Sequence, residues 1–162
     1  DVGNNAAKLA QSSIGQNDVQ ASPLQMALVA AGVANGGTIM KPHVLAEVRD
    51  NQGSVVKSYT PTPWLHPLST AFADELRRDM IGVVTGGTAT AMAIPGFDVG
   101  GKTGTAQGAG NRSENDSSVF VGFSTDQNVP YTVGAYLERA GYGAQAAATS
   151  RASLRLTGSP EK

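Results

Sequence analysis

A cation, two hydroxyls and a residue without a side chain follow one another in Lys102-Thr103-Gly104-Thr105, inside the run Gly101–Ala106. In an extended strand alternate side chains share a face. Thr103 and Thr105 therefore point one way and Lys102 the other. Gly104 leaves the strand bare, so a second backbone can lie close against it. The set suits an extended peptide that ends in a carboxylate. The hydroxyls would hold the carboxylate, Lys102 would supply positive potential, and the strand edge would pair with the peptide.

The same letters also invite a phosphate. Gly96-Phe97-Asp98-Val99-Gly100-Gly101-Lys102-Thr103 matches G-x-x-x-x-G-K-[ST]. That loop needs a buried strand before its first glycine and a helix opening at its Lys-Thr. Ala93-Ile94-Pro95 is no apolar strand, and Gly104, Gly108 and Gly110 argue against a helix. The phosphate reading is set aside on both flanks. The structural alternative is a glycine-rich hairpin with a chance lysine.

The elements that must position this strand can be read outward from it. Three strands are predicted, Val99 to Ala106, Ser117 to Ser124 and Tyr131 to Glu138. The first link, Gln107 to Asp116, is long and polar, and the second, Thr125 to Pro130, is tighter, which favours an antiparallel meander. Ala144 to about Leu156 is an alanine-rich helix able to pack closely on a sheet.

Upstream, Ser69 or Thr70 caps a helix to about Val84, closed by Gly86-Gly87. Phe72, Leu76, Met80 and Val83-Val84 should face a core, with Asp74, Glu75, Arg77, Arg78 and Asp79 on the solvated side. Ser22-Pro23 opens another helix, Leu24 to Ala34, which Asn35-Gly36-Gly37 stops. Between the two helices, Val44 to Arg49 and Ser54 to Tyr59 read as a hairpin around Asp50-Asn51-Gln52-Gly53, and Thr60 to Pro67 as an extended connection. The fold class is α+β, an antiparallel sheet covered by helices.

Composition narrows the partners. The 162 residues suffice for one domain, and 40% of them are hydrophobic. Twelve Lys and Arg against 13 Asp and Glu offer no nucleic-acid surface and no polybasic anchor. The chain contains no apolar run of the ~18 residues that a membrane span needs. Asp1-Val2-Gly3-Asn4-Asn5 lacks the regions of a signal peptide, so if the parent protein is exported its address lies elsewhere. There is no cysteine, hence no disulfide or thiol chemistry. His43 and His66 each adjoin a proline without a second ligand at metal spacing, so both read as surface residues.

Several short stretches then share one resemblance. K-T-G belongs to the signature set of penicillin-binding proteins and class A β-lactamases. Leu9-Ala10 with Ile14-Gly15-Gln16, followed by Ser22-Pro23-Leu24-Gln25-Met26-Ala27, resembles the family segment IGQ…TPLQ-A. Asn35-Gly36-Gly37 with Lys41-Pro42 resembles its NGG…P turn, and Gly87-Thr88-Ala89 before Gly101–Ala106 its GTA…GKTGTA pair. Val119-Phe120-Val121-Gly122-Phe123 resembles the next sheet strand. In order and over nearly the whole chain, the sequence resembles class B, single-function peptidoglycan transpeptidases, in particular the actinobacterial kind.

The resemblance implies a serine acyl-transfer enzyme of the cell envelope, outside the cytoplasmic membrane, working without a cofactor. A serine attacks the D-Ala-D-Ala bond of a peptidoglycan stem peptide, terminal D-Ala leaves, and an amine of a neighbouring stem takes the acyl group. β-Lactams acylate the same serine. On that resemblance Lys102 supplies electrostatics and supports proton transfer, and the Thr103 hydroxyl holds the carboxylate. Gly104 admits the substrate strand, and Thr105 N–H forms half of the oxyanion hole. A D,D-carboxypeptidase, a β-lactamase, or a non-enzymatic β-lactam sensor uses the same strand.

The departure from the family is as informative. Its S-x-x-K and S-x-N elements precede K-T-G and sit around helices. Ser54-Val55-Val56-Lys57 fits the first, but on a hairpin strand Ser and Lys fall on opposite faces. Ser159-Pro160-Glu161-Lys162 fits too, at the chain end, and Ser113-Glu114-Asn115 fits S-x-N but follows K-T-G. All three are read as chance. The chain is therefore expected to be the C-terminal portion of a transpeptidase domain, residues 1–162, partnered by an N-terminal polypeptide that carries S-x-x-K and S-x-N.

Overall fold

The structure is a computed structural model that describes residues 5–108, 115–126 and 130–158, with side chains as far as residue 152. Helix α1, Ala6–Ser13, starts where the Asn5 side chain accepts the Lys8 N–H at 3.1 Å, and none of its residues is buried. Helix α2, Pro23–Ala34, opens on a reciprocal cap. Ser22 Oγ accepts the Gln25 N–H at 3.2 Å, and Gln25 Oε1 accepts the Ser22 N–H at 2.8 Å. The helix ends at Asn35, and Gly36 and Gly37 follow with φ of +61° and +92°. Gly37 also lies against the Leu68 carbonyl so closely that no side chain would fit there. Helix α3, Thr70–Gly86, begins at Ser69, whose Oγ accepts the Phe72 N–H at 3.3 Å.

Between α2 and α3 lie two small antiparallel pairs. Strand β1 (Ile39–Met40) pairs with β4 (Pro63–Leu65), and β2 (Glu47–Arg49) with β3 (Val55–Ser58). The main sheet comes later. Strands β5 (Val99–Ala106), β6 (Ser117–Ser124) and β7 (Thr132–Leu137) form an antiparallel meander in the order β5-β6-β7. Helix α4, Ala144–Gly158, follows.

Alternation along these strands sorts the core into two faces. On one face, Val99 and Phe120 pack with Ala146 and Ala147 of α4 and with Met92 from a short 3-10 turn, Thr90–Met92. On the other, Val121 and Phe123 meet Ala30 and Val33 of α2 and Met80 of α3. The two phenylalanines explain the glycines opposite. The Phe123 ring lies over Gly100, where a Cβ would fall 2.5 Å from it, and the Phe120 ring covers both Gly101 and its register partner Gly122. A side chain at any of these would displace a fully buried ring.

The α+β class, the meander and both capped helices agree with the sequence reading. Phe72 does not, being 56% exposed. A step of four residues advances the helix face by about 40° beyond one turn, so a stripe centred on Ala73, Met80 and Val84 leaves Phe72 at its margin. The hairpin strands are shorter than expected, and Val44 is outside them. Part of the proline-punctuated connection is strand β4. Ser159–Lys162 and residues 113 and 114 of the S-x-N match lie outside the described residues.

Candidate active site

Lys102, Thr103, Gly104 and Thr105 lie together on β5, the outer strand of the sheet. Backbone groups along an antiparallel edge alternate between the paired neighbour and the open side. Thr103 O accepts from Lys102 Nζ at 2.8 Å and Thr105 O from Gln16 Nε2 at 2.9 Å, so both carbonyls face the open side. A residue's N–H and C=O leave a strand in the same direction. The Thr105 N–H therefore faces the open edge as well. Lys102 is exposed, and its side chain leaves the face opposite to Thr103 and curls over the edge. Its ammonium sits on the carbonyl that a pairing peptide would meet.

The two threonine hydroxyls point to the same face, as alternation requires. Thr103 Oγ1 lies 2.7 Å from Thr88 Oγ1, which forms a hydroxyl pair at the strand edge. Thr105 Oγ1 accepts the Gly143 N–H at 3.2 Å, so this hydroxyl is tied to the entry of α4. Gly143 itself presses on β5, since a Cβ there would fall 2.5 Å from Gly104 O. Gly104 is different from Gly100 and Gly101. A Cβ on Gly104 would meet only Val119 Cβ, at 3.6 Å, an ordinary contact. Within the described residues its bare Cα answers to no steric demand, and the space beside it is available to a ligand.

Ser54 is separated from this strand. It lies in the turn just before β3, where its N–H donates to Asp50 Oδ1 at 2.9 Å. Sequence reasoning missed three residues of the site as candidates in their own right. Thr88 carried a signal in Gly87-Thr88-Ala89, and Gln16 one in Ile14-Gly15-Gln16. Gly143 carried none. Their contacts join residues 15, 89 and 38 positions apart, beyond the reach of any local pattern.

Residues 2–154 match the penicillin binding protein transpeptidase domain. The peptidoglycan D,D-transpeptidase PbpA of Mycolicibacterium smegmatis is 32% identical over 156 residues, covering 92% of this chain and 32% of the relative. Among solved structures, the ceftriaxone acyl-enzyme complex of penicillin-binding protein A from M. tuberculosis superposes with a TM-score of 0.85 at 28% identity. That match covers 96% of this chain and 36% of the other. The D,D-transpeptidase domain of a peptidoglycan glycosyltransferase from Eggerthella lenta gives a TM-score of 0.74 at 35% identity, over 86% and 32%. The chain thus spans about a third of the length of the relatives it matches.

Proposed function

The chain belongs to the penicillin-binding protein transpeptidase domain family, and from that premise we propose that it is the C-terminal portion of a serine D,D-transpeptidase domain. It supplies the K-T-G strand of the site. The nucleophilic serine, with its lysine and the S-x-N element, belongs to the part of the relatives' length that this chain does not span. The reaction is the cross-linking of peptidoglycan stem peptides on the outer side of the cytoplasmic membrane, and β-lactams are taken as substrate mimics. The observation that carries this reading is the open edge of β5, where the Thr105 N–H and the Thr88–Thr103 hydroxyl pair sit on either side of an unobstructed Gly104.

Each group then has one task. The stem peptide lies antiparallel to β5, and its terminal carboxylate meets the Thr103 hydroxyl and the field of Lys102. The serine oxygen bonds to the penultimate D-Ala carbonyl carbon, and the developing oxyanion accepts from Thr105 N–H. A donor so placed typically contributes about 3 kcal/mol of barrier lowering. The serine proton passes to the departing D-Ala nitrogen, and an ester joins serine to the peptide. The amine of a second stem attacks that ester, forms the cross-link amide and returns the proton to serine.

The test is turnover by the complete protein with a D-Ala-D-Ala stem peptide and an amine acceptor. A cross-linked product with release of D-Ala is expected. Hydrolysed stem peptide alone would make it a D,D-carboxypeptidase, rapid penicillin hydrolysis a β-lactamase, and stable acylation with no product a sensor.

A further inference from the structure

Gln16 sits in a turn shaped to aim its side chain. Gly15 has φ of +77° and Asn17 φ of +61°, so left-handed backbone flanks it on both sides. At Asn17 that conformation carries a cost that a glycine avoids, and such costs gather at functional positions. From residue 5 to residue 25, Ser12 and Gln16 alone are half-buried and all others are exposed. Helix α1 buries nothing against the sheet. Among the described residues, the Gln16 amide makes two hydrogen bonds from this segment to the end of β5. Its Nε2 donates to Thr105 O at 2.9 Å, and its Oε1 accepts the Gln107 N–H at 3.4 Å. One side chain thereby makes the two hydrogen bonds that a neighbouring strand would make, on the edge just past the Thr105 N–H.

We propose that Gln16 is a positioning residue for acyl transfer, whose amide ends the peptide-pairing edge of β5 after Thr105 and holds the Thr105 N–H on the reacting carbonyl. The inference rests on the transpeptidase reading above. It assigns an extended substrate a fixed stop: pairing reaches the Thr105 N–H and goes no further, because Gln16 holds both Thr105 O and Gln107 N–H.

The experiment uses the complete protein and penicillin, with acylation resolved by rapid mixing into the non-covalent Kd and the acylation rate constant. Gln16→Ala removes both bonds. Gln16→Glu keeps the shape and the acceptor but has no N–H for Thr105 O. Both variants should acylate about tenfold more slowly or worse, since misaimed donors lose much of their worth. Kd should stay within twofold, and the melting temperature should match the wild type. Unchanged acylation in either variant would overturn the proposal. So would a loss confined to Kd, or one accompanied by a lowered melting temperature, because either marks Gln16 as a packing tether. A wild-type protein that takes no penicillin overturns the transpeptidase reading itself and this inference with it, whereas a labelled wild type with unaffected variants removes Gln16 alone.

Discussion

Thr88 and Thr103 stand 15 positions apart and share one 2.7 Å hydroxyl contact at the edge of β5. Only one of the two can donate to the other, so the pair retains one hydroxyl proton for a ligand. Thr103→Val keeps the shape and deletes that option. It should slow penicillin acylation by roughly one to two orders of magnitude, the worth of a hydrogen bond to a charged group. Thr88→Val should cost less, because Thr88 acts through Thr103. The double variant should cost no more than Thr103→Val alone, since the two share one network. Additive losses in stopped-flow acylation would mean that Thr88 and Thr103 serve separate functions. Thr103 was legible from its place beside Lys102, whereas its partner was not, because strand alternation gives a direction and not what stands in it.

At the scale of elements, β5 carries two kinds of glycine. Gly101 is buried beneath the Phe120 ring, and Gly104 is open. Gly101→Ala forces a fully buried aromatic aside and should destabilise by about 1–3 kcal/mol. Gly104→Val should leave the melting temperature nearly unchanged and abolish β-lactam binding, because the branched side chain enters the space reserved for the ligand. A calorimetric scan beside a labelling assay separates the two. Normal labelling by Gly104→Val would end the strand-pairing account. Elements with local stop and start signals were readable, as at Ser22-Pro23, Ser69 and Gly86-Gly87. The two-residue strand β1 and its partner β4 were not. Two residues carry no periodicity, and Pro61, Pro63 and Pro67 signal an extended path without saying what pairs with it.

For the molecule as a whole, the sheet has the right layers on both faces, yet apolar side chains remain outside them. Leu24 and Val29 of α2 are 61% and 50% exposed, and Tyr136 of β7 is 51% exposed. Strand β7 is also an outer strand, so its far edge is open to pairing among the described residues. These surfaces fit a chain that completes its sheet and covers α2 with further parts of a larger transpeptidase domain. Expressed alone, the 162 residues should associate or remain partly unfolded and should take no label from fluorescent penicillin. Monomeric, labelled material would contradict that. Fold class and strand order were legible here from link lengths and glycines, while the place proposed for the nucleophile, outside this chain, rests in the sequence only on the lack of S-x-x-K on a predicted helix. The most direct test is therefore to acylate the complete protein with penicillin, digest it, and map the penicilloyl ester by mass spectrometry. The account predicts one adduct, on a serine outside these 162 residues, followed three positions later by lysine. An adduct on any serine within them, Ser54 first among these, would contradict it.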